Sequence, residues 1–198
     1  MEKREYKCTI ATKEALVKAI VQLSQEKGYE KVTIRDICRK AGISIGSFYH
    51  HFSSKEELAT EAYYHIDKLI IENFTKICET KSPEENLYCI LESYLKYIED
   101  EIGMLIKTYY NLILKENSIS AFAPDRLYFK KLQQVLTECV KDGYLQEPDN
   151  FTELTEYCIR FQRGLIFDWS LHNGNYNLVD QFENDFKRFI NGLQKEKE

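Results

Sequence analysis

Apolar residues return at intervals of three and four along nearly the whole chain, and no stretch alternates apolar with polar for any length. That pattern predicts an all-α protein of about nine helices. From Thr9 to Lys27 the apolar face is Leu16, Ala19, Ile20 and Leu23, with Gly28 as the stop. Two short patterns follow: Ile34, Ile37 and Ala41, closed by Gly42, then Phe48 and Phe52 four residues apart. A long helix opening at Ser54 carries Leu58, Ala62, Ile66, Leu69 and Ile77 as far as Cys78. After a break at Thr80–Pro83, Leu87, Ile90, Leu91, Tyr94 and Ile98 share a face, and Gly103 separates them from an apolar helix over Met104–Leu114. Asn117–Pro124 is expected to be a loop. The next helix spans Asp125–Asp142 through Leu132, Val135, Leu136 and Cys139. The stripes Leu154, Cys158, Phe161, Leu165, Trp169 and Leu178, Phe182, Phe186, Phe189, Leu193 then flank a turn at Asn173-Gly174-Asn175.

The stretch Val32–Leu58 is the most densely punctuated. Thr33 and Asp36 have the spacing of a capping box, as do Ser54 and Glu57, and Ser82 with Glu85 repeats it ahead of a helix with Pro83 at its first position. Gly42 suits the left-handed backbone that ends a helix, and Ser44 caps a second short helix over Ile45–His51. Phe48 and Phe52 form its inward edge. Ser44, Ile45, Ser47, Tyr49, His50 and His51 are left facing outward. Helix, glycine turn, then a helix with small and polar exposed positions is a helix-turn-helix arrangement, whose second helix enters the major groove.

The run TIRDI-xxx-AGIS-x-GSFY-x-HF-x-SKEEL resembles the DNA-binding signature of TetR-family transcriptional regulators over about fifty N-terminal residues, with Cys38 standing where that family usually has a small residue. The resemblance implies a three-helix DNA-binding domain at 1–55 and a helical regulatory, ligand-binding and dimerisation domain at 56–198. It implies phosphate contacts from Thr33, Ser44, Tyr49, His51 and Lys55, and base-edge contacts from the outward positions Ile45, Ser47 and His50. Ile45 could meet a thymine methyl; Ser47 or His50 could hydrogen-bond in the groove. Gly46 would let the backbone approach the duplex closely. Arg39 and Lys40 offer general attraction to phosphate or are simply solvated, and Lys3, Arg4 and Lys7 form a short basic arm or a frayed terminus.

Charge distribution sharpens this picture. The net charge is −5, yet residues 1–55 carry 11 Lys/Arg against 6 Asp/Glu and the remainder 16 against 26. A basic segment joined to an acidic body means that only the first part suits phosphate. With 43% hydrophobic and 13% aromatic residues the chain is a folded protein. Its six cysteines lack metal-ligand spacing and read as reduced thiols of a cytosolic protein, without excluding a redox sensor. No membrane-length apolar run, signal core, Gly-rich phosphate loop or nucleophile elbow is present. No cofactor or metal is expected, although Asp168 and His172 lie one helical turn apart, and the chain is not expected to be an enzyme.

In the last two helices Tyr157, Ile166, Phe167, Val179 and Ile190 lie off the main stripes, more apolar surface than one packing face needs. A thick monomeric core would account for it; the resemblance implies a homodimer formed by these helices. It also implies an inducer pocket for a small, mostly apolar organic ligand, for which Tyr94, Tyr109, Tyr110, Phe122, Phe129, Phe161, Arg163 and Trp169 are candidates, each with an ordinary core role as its alternative. The functional expectation is a ligand-responsive DNA-binding regulator, a repressor released from a palindromic operator by an inducer. The competing reading is a protein-interaction module that keeps a helix-turn-helix without binding DNA.

Overall fold

The computed structural model describes the backbone of residues 2–78, 81–116 and 125–194, and side chains in those stretches except at 2–9, 63–66, 68–69, 73, 75–78 and 116. Nine α-helices and no strand occur among the described residues: α1 Glu2–Lys27, α2 Ile34–Ala41, α3 Ile45–His51, α4 Lys55–Cys78, α5 Pro83–Tyr97, α6 Leu105–Glu116, α7 Leu127–Lys141, α8 Phe151–Leu171 and α9 Leu178–Asn191. A 3-10 turn, Tyr29–Lys31, precedes α2, and a π-helical turn, Ile98–Ile102, follows α5. The chain divides into two compact units, Met1–His65 with Glu101–Ser118 and Ile66–Asp100 with Ile119–Glu198, so the division falls inside α4.

In the first unit α1 begins at Glu2, well before Thr9, because the charged residues ahead of Thr9 contain no helix breaker; the expected basic arm is helical. Leu16, Ala19, Ile20 and Leu23 are buried as the pattern requires, with Ile37, Phe48, Phe52 and Leu58 from the following helices. Cys38 is 3% exposed and packs as the small apolar residue it replaces. Gly103 (φ +54) allows the backbone to turn into α6.

The second unit packs α5 against α7 and α9, and α8 against both α7 and α9. The α5 cap forms as expected: Ser82 accepts from Glu85 N–H while the Glu85 carboxylate accepts from Ser82 N–H. On α8 Cys158, Leu165 and Trp169 of the expected stripe are buried, together with Thr155, Gln162 and Ile166, whereas Leu154 and Phe161 are half-buried. The difference follows from polar partners that periodicity of apolar residues ignores. Gln162 accepts from the Tyr128 hydroxyl at 2.7 Å and donates to the Leu91 carbonyl at 3.0 Å, linking α8 to α7 and α5. Arg126, just ahead of α7, donates to Asp67 of α4 at 3.0 Å, and Tyr128 N–H donates to the same carboxylate.

Cys38, Cys139 and Cys158 are buried free thiols, and burial pushes the Cys139 thiol up to about 12. Cys89, in contrast, is disulfide-bonded, which corrects the expectation of reduced thiols throughout. No helix is long and apolar enough to cross a membrane among the described residues. Residues 117–124, where a loop was expected and where Phe122 falls, and the terminal residues 195–198 lie outside the described residues, as do the side chains of Ile66, Leu69 and Ile77.

Candidate nucleic-acid interface

The helix-turn-helix is built from local bonds. Thr33 caps α2: its hydroxyl accepts from Asp36 N–H at 3.2 Å, and the Asp36 carboxylate accepts from Thr33 N–H at 3.1 Å. The carboxylate also takes Lys27 at 2.7 Å and Arg39 at 2.9 Å. The Lys27 bond and then those from Thr33 hold the Asp36 carboxyl well below the usual carboxylate range. Gly42 closes α2 with φ +70, returning its N–H to the Arg39 carbonyl. Two residues later the Ser44 hydroxyl accepts from Ser47 N–H at 3.1 Å and starts α3.

Phe48, fully buried, and Phe52 anchor α3 from below. The opposite side of the helix is largely open: Ile45 is 43% and Tyr49 56% exposed, Ser44, Gly46 and His50 are also exposed, and Ser47 and His51 are half-buried. A Cβ on Gly46 would meet only the Ser44 hydroxyl, at 3.8 Å, so nothing inside the unit requires glycine there. Glycine in a helix costs about 1 kcal/mol relative to alanine, and its place on the exposed side leaves room for an approaching surface. The imidazoles of His50 and His51 meet edge to face at 5.1 Å. Desolvation first, then His50 and Lys13, lowers the His51 pKa and favours its neutral form.

Eight of the nine expected DNA-contact residues therefore lie on or at the ends of these two short helices. The Thr33 hydroxyl is used up in its cap, accepting from Asp36 N–H and donating to the Asp36 carboxylate at 2.7 Å, whereas the Ser44 hydroxyl accepts from Ser47 N–H and keeps its own proton to donate. Lys55 is the ninth. Its ammonium donates to the Tyr29 and Val32 carbonyls at 3.1 and 3.0 Å and lies 4.0 Å from the centre of the Tyr29 ring. The cap that opens α4 also differs in detail: Ser54 accepts from Glu57 N–H, but the Glu57 carboxylate returns to Ser53.

The ligand candidates fall in both units. Tyr109 and Tyr110 belong to α6 in the first unit, and Phe122 lies outside the described residues. In the second unit, Tyr94 packs its ring 4.5 Å from that of Tyr128. Phe129 and Arg163, with Glu156, Ile159 and Arg160, line a cavity of about 200 Å³. Phe161 stacks on Phe189 at 4.1 Å, and Trp169 donates to the Tyr176 carbonyl at 2.9 Å. The buried Tyr128–Gln162 and Asp67–Arg126 contacts were not anticipated. Their only trace in the sequence is a polar residue, Gln162, at helical spacing from Cys158 and Ile166. His172 Nδ1 lies 3.4 Å from the Asp168 carboxylate and 2.9 Å from the Asp168 carbonyl, and no group of three or more metal-binding side chains occurs among the described residues.

Capped helix, left-handed glycine turn and a short helix with one open side define a helix-turn-helix DNA-binding unit. Residues 12–62 match the family model for bacterial regulatory proteins of the tetR family, and the chain belongs to that family. It is 32% identical over 136 residues to an HTH-type transcriptional regulator of Bacillus subtilis, YerO, covering 67% of this chain and 45% of that one. The match to the HTH-type transcriptional repressor KstR2 of Mycobacterium tuberculosis is 25% identical and covers 91% and 92%. Among solved structures, FadR of Bacillus subtilis in complex with stearoyl-CoA superposes with a TM-score of 0.65 at 17% identity, covering 93% of this chain and 99% of that one, and so shares the fold. The chain spans about half the length of the curated relatives it matches at 32% and 35% identity.

Proposed function

We propose that the protein is a DNA-binding transcriptional regulator that acts as a repressor, released from a palindromic operator when a small organic ligand binds its second unit. The observation that carries this reading is α3. A helix with one side pinned by Phe48 and Phe52 and the other side open, small and polar is shaped to enter a groove. Ile45, Ser47 and His50 read base edges, Tyr49 and His51 touch the backbone, and Gly46 permits close approach. Backbone amides at the starts of α2 and α3, capped by Thr33 and Ser44, take phosphate.

One short reading helix covers few base pairs, so two copies on half-sites about one helical turn apart supply the affinity. Tyr157, Phe167 and Leu171 of α8, between 46% and 60% exposed, support pairing through α8 and α9. The ligand would be mostly apolar with an acyl or polycyclic body, in keeping with the stearoyl-CoA bound by FadR. Ligand that favours the conformer unable to fit both half-sites shifts the population away from DNA.

Selection of bound duplexes from a random pool, followed by mobility shift at near-physiological salt, tests the reading. A palindromic consensus bound by wild type and lost in Tyr49→Ala/His50→Ala is expected. No enriched sequence from the pool would favour the interaction-module alternative.

A further inference from the structure

We propose that two copies of this chain meet through an antiparallel crossing of their α8 helices centred on Gly164, with Arg160 of each copy facing Asp168 of the other. The inference rests on the two-copy reading above and deepens it, naming the register of the contact and the residues that make it selective for a second copy of the same chain.

Gly164 lies in the interior of α8, where glycine is the least favoured residue after proline. Nothing within the unit asks for it. Its φ is not positive, it is exposed, and a Cβ built on it meets no atom within 4 Å. A glycine that neither turns the chain nor makes room for its own fold leaves room for a backbone arriving from outside. At 3.6 residues per turn, Tyr157, Arg160, Phe167, Asp168 and Leu171 all fall within about 60° of Gly164 around the helix. All five are exposed, so α8 shows one continuous open face with the glycine on its midline. The last helix does not match it: the exposed positions of α9 are Asp180, Glu183, Asn184, Lys187, Arg188 and Asn191, none of them apolar. The apolar part of the contact therefore falls to α8, and α9 can give only a polar rim.

Around that glycine the sequence is self-complementary. Arg160 stands four residues before it and Asp168 four after; Tyr157 stands seven before and Leu171 seven after. In a two-fold contact between antiparallel helices, a residue ahead of the midpoint meets one equally far behind it in the other copy. Arg160 then lies level with Asp168 and Tyr157 with Leu171, and each pair occurs twice. A parallel crossing would set Arg160 against Arg160 and Asp168 against Asp168, so charge selects the antiparallel one. Both charged side chains are more than half exposed and within a guanidinium's reach of such a neighbour. On its own helix Arg160 has Glu156 at 3.4 Å, and the Tyr176 hydroxyl, donating to Asp168 at 2.8 Å, steadies that carboxylate.

Sedimentation equilibrium of the full chain tests the register. Arg160→Glu and Asp168→Arg each set like charges opposite one another, and each should weaken pairing at least tenfold. Mixed in equal amounts, the two variants should return to near wild-type affinity as a heterodimer, because both facing pairs are then of opposite charge. Circular dichroism confirms that each variant keeps wild-type helicity before mixing. Gly164→Leu should raise the melting temperature of the dilute, unpaired chain yet weaken pairing tenfold or more, an opposition that a purely internal role for the glycine does not produce. Charge swaps that leave the dimer as tight as wild type, or a mixture no tighter than its folded components, overturn the register and leave the two-copy reading standing. A wild type that stays monomeric overturns both and gives this face to a different chain.

Discussion

The α2–α3 segment and the packing of α5, α7 and α8 reach order by opposite routes. In α2–α3 most recorded polar bonds join residues three or four apart: Thr33 to Asp36, Asp36 to Arg39, Ser44 to Ser47. The α5–α7–α8 core depends on partners far apart in sequence, Asp67 with Arg126, Tyr128 with Gln162 and Gln162 with Leu91. A segment held by its own caps can leave one side empty and keep its shape. A core held by distant partners uses its polar groups up in doing so. The first arrangement suits a surface presented to a rigid duplex. The second suits a body in which replacing one internal contact shifts several helices.

Phe48→Ala should hit hardest. Phe48 is fully buried beneath the reading helix, and removing a core phenylalanine costs about 3–5 kcal/mol, so most of the first unit's stability goes with it. Urea unfolding followed by the helical signal measures this. A loss under 1 kcal/mol would mean the local caps hold α3 without its apolar anchor, and the comparison would sharpen in their favour.

Asp67→Ala should come next. It removes the carboxylate that Arg126, whose side chain is 13% exposed, pairs with, and breaking a buried ion pair by removing one partner costs about 3–5 kcal/mol, at the lower end where water reaches the remaining charge. The double replacement Asp67→Leu/Arg126→Met should recover much of that. If the double variant is no more stable than the single, the pair is not what joins the start of α7 to α4, and the contrast between the segments weakens.

The smallest effect is a pH dependence. The Asp36 carboxyl is depressed by the hydrogen bond from Lys27 and those from Thr33. A depressed carboxylate contributes stability above its unfolded value, about 3.9, and that contribution is lost as pH falls through the folded value. Acid unfolding of wild type should therefore include an Asp36 component below about pH 4 that is absent in Asp36→Asn. Identical acid limbs in the two proteins would show that the cap works without charge.

Most of the reading unit was legible in the chain because its signals are short-range. Thr33, Gly42 and Ser44 announce helix ends through their own backbone chemistry, and Phe48 and Phe52 face inward by simple periodicity. Lys55 was legible as a cation at the start of a helix, but its bonds to the Val32 and Tyr29 carbonyls were not, because those partners lie 23 and 26 residues earlier. The ligand candidates fared differently. Aromatic content nominated Tyr94, Phe161 and Trp169 together, and within the second unit each meets a different partner, the Tyr128 ring, the Phe189 ring and the Tyr176 carbonyl.

The amino-acid order by itself determined the nine helices of the described residues, their principal caps and the open side of α3, since backbone satisfaction and helical period act within a few residues. Only the tertiary structure decided that α8 turns Gln162 inward in place of Phe161, that Asp67 is matched by Arg126, and that Lys55 faces the Tyr29 turn. Each of these depends on a polar group finding its partner across the fold. A buried polar group must be hydrogen-bonded wherever its partner happens to arrive, and that arrival is set by packing and not by spacing.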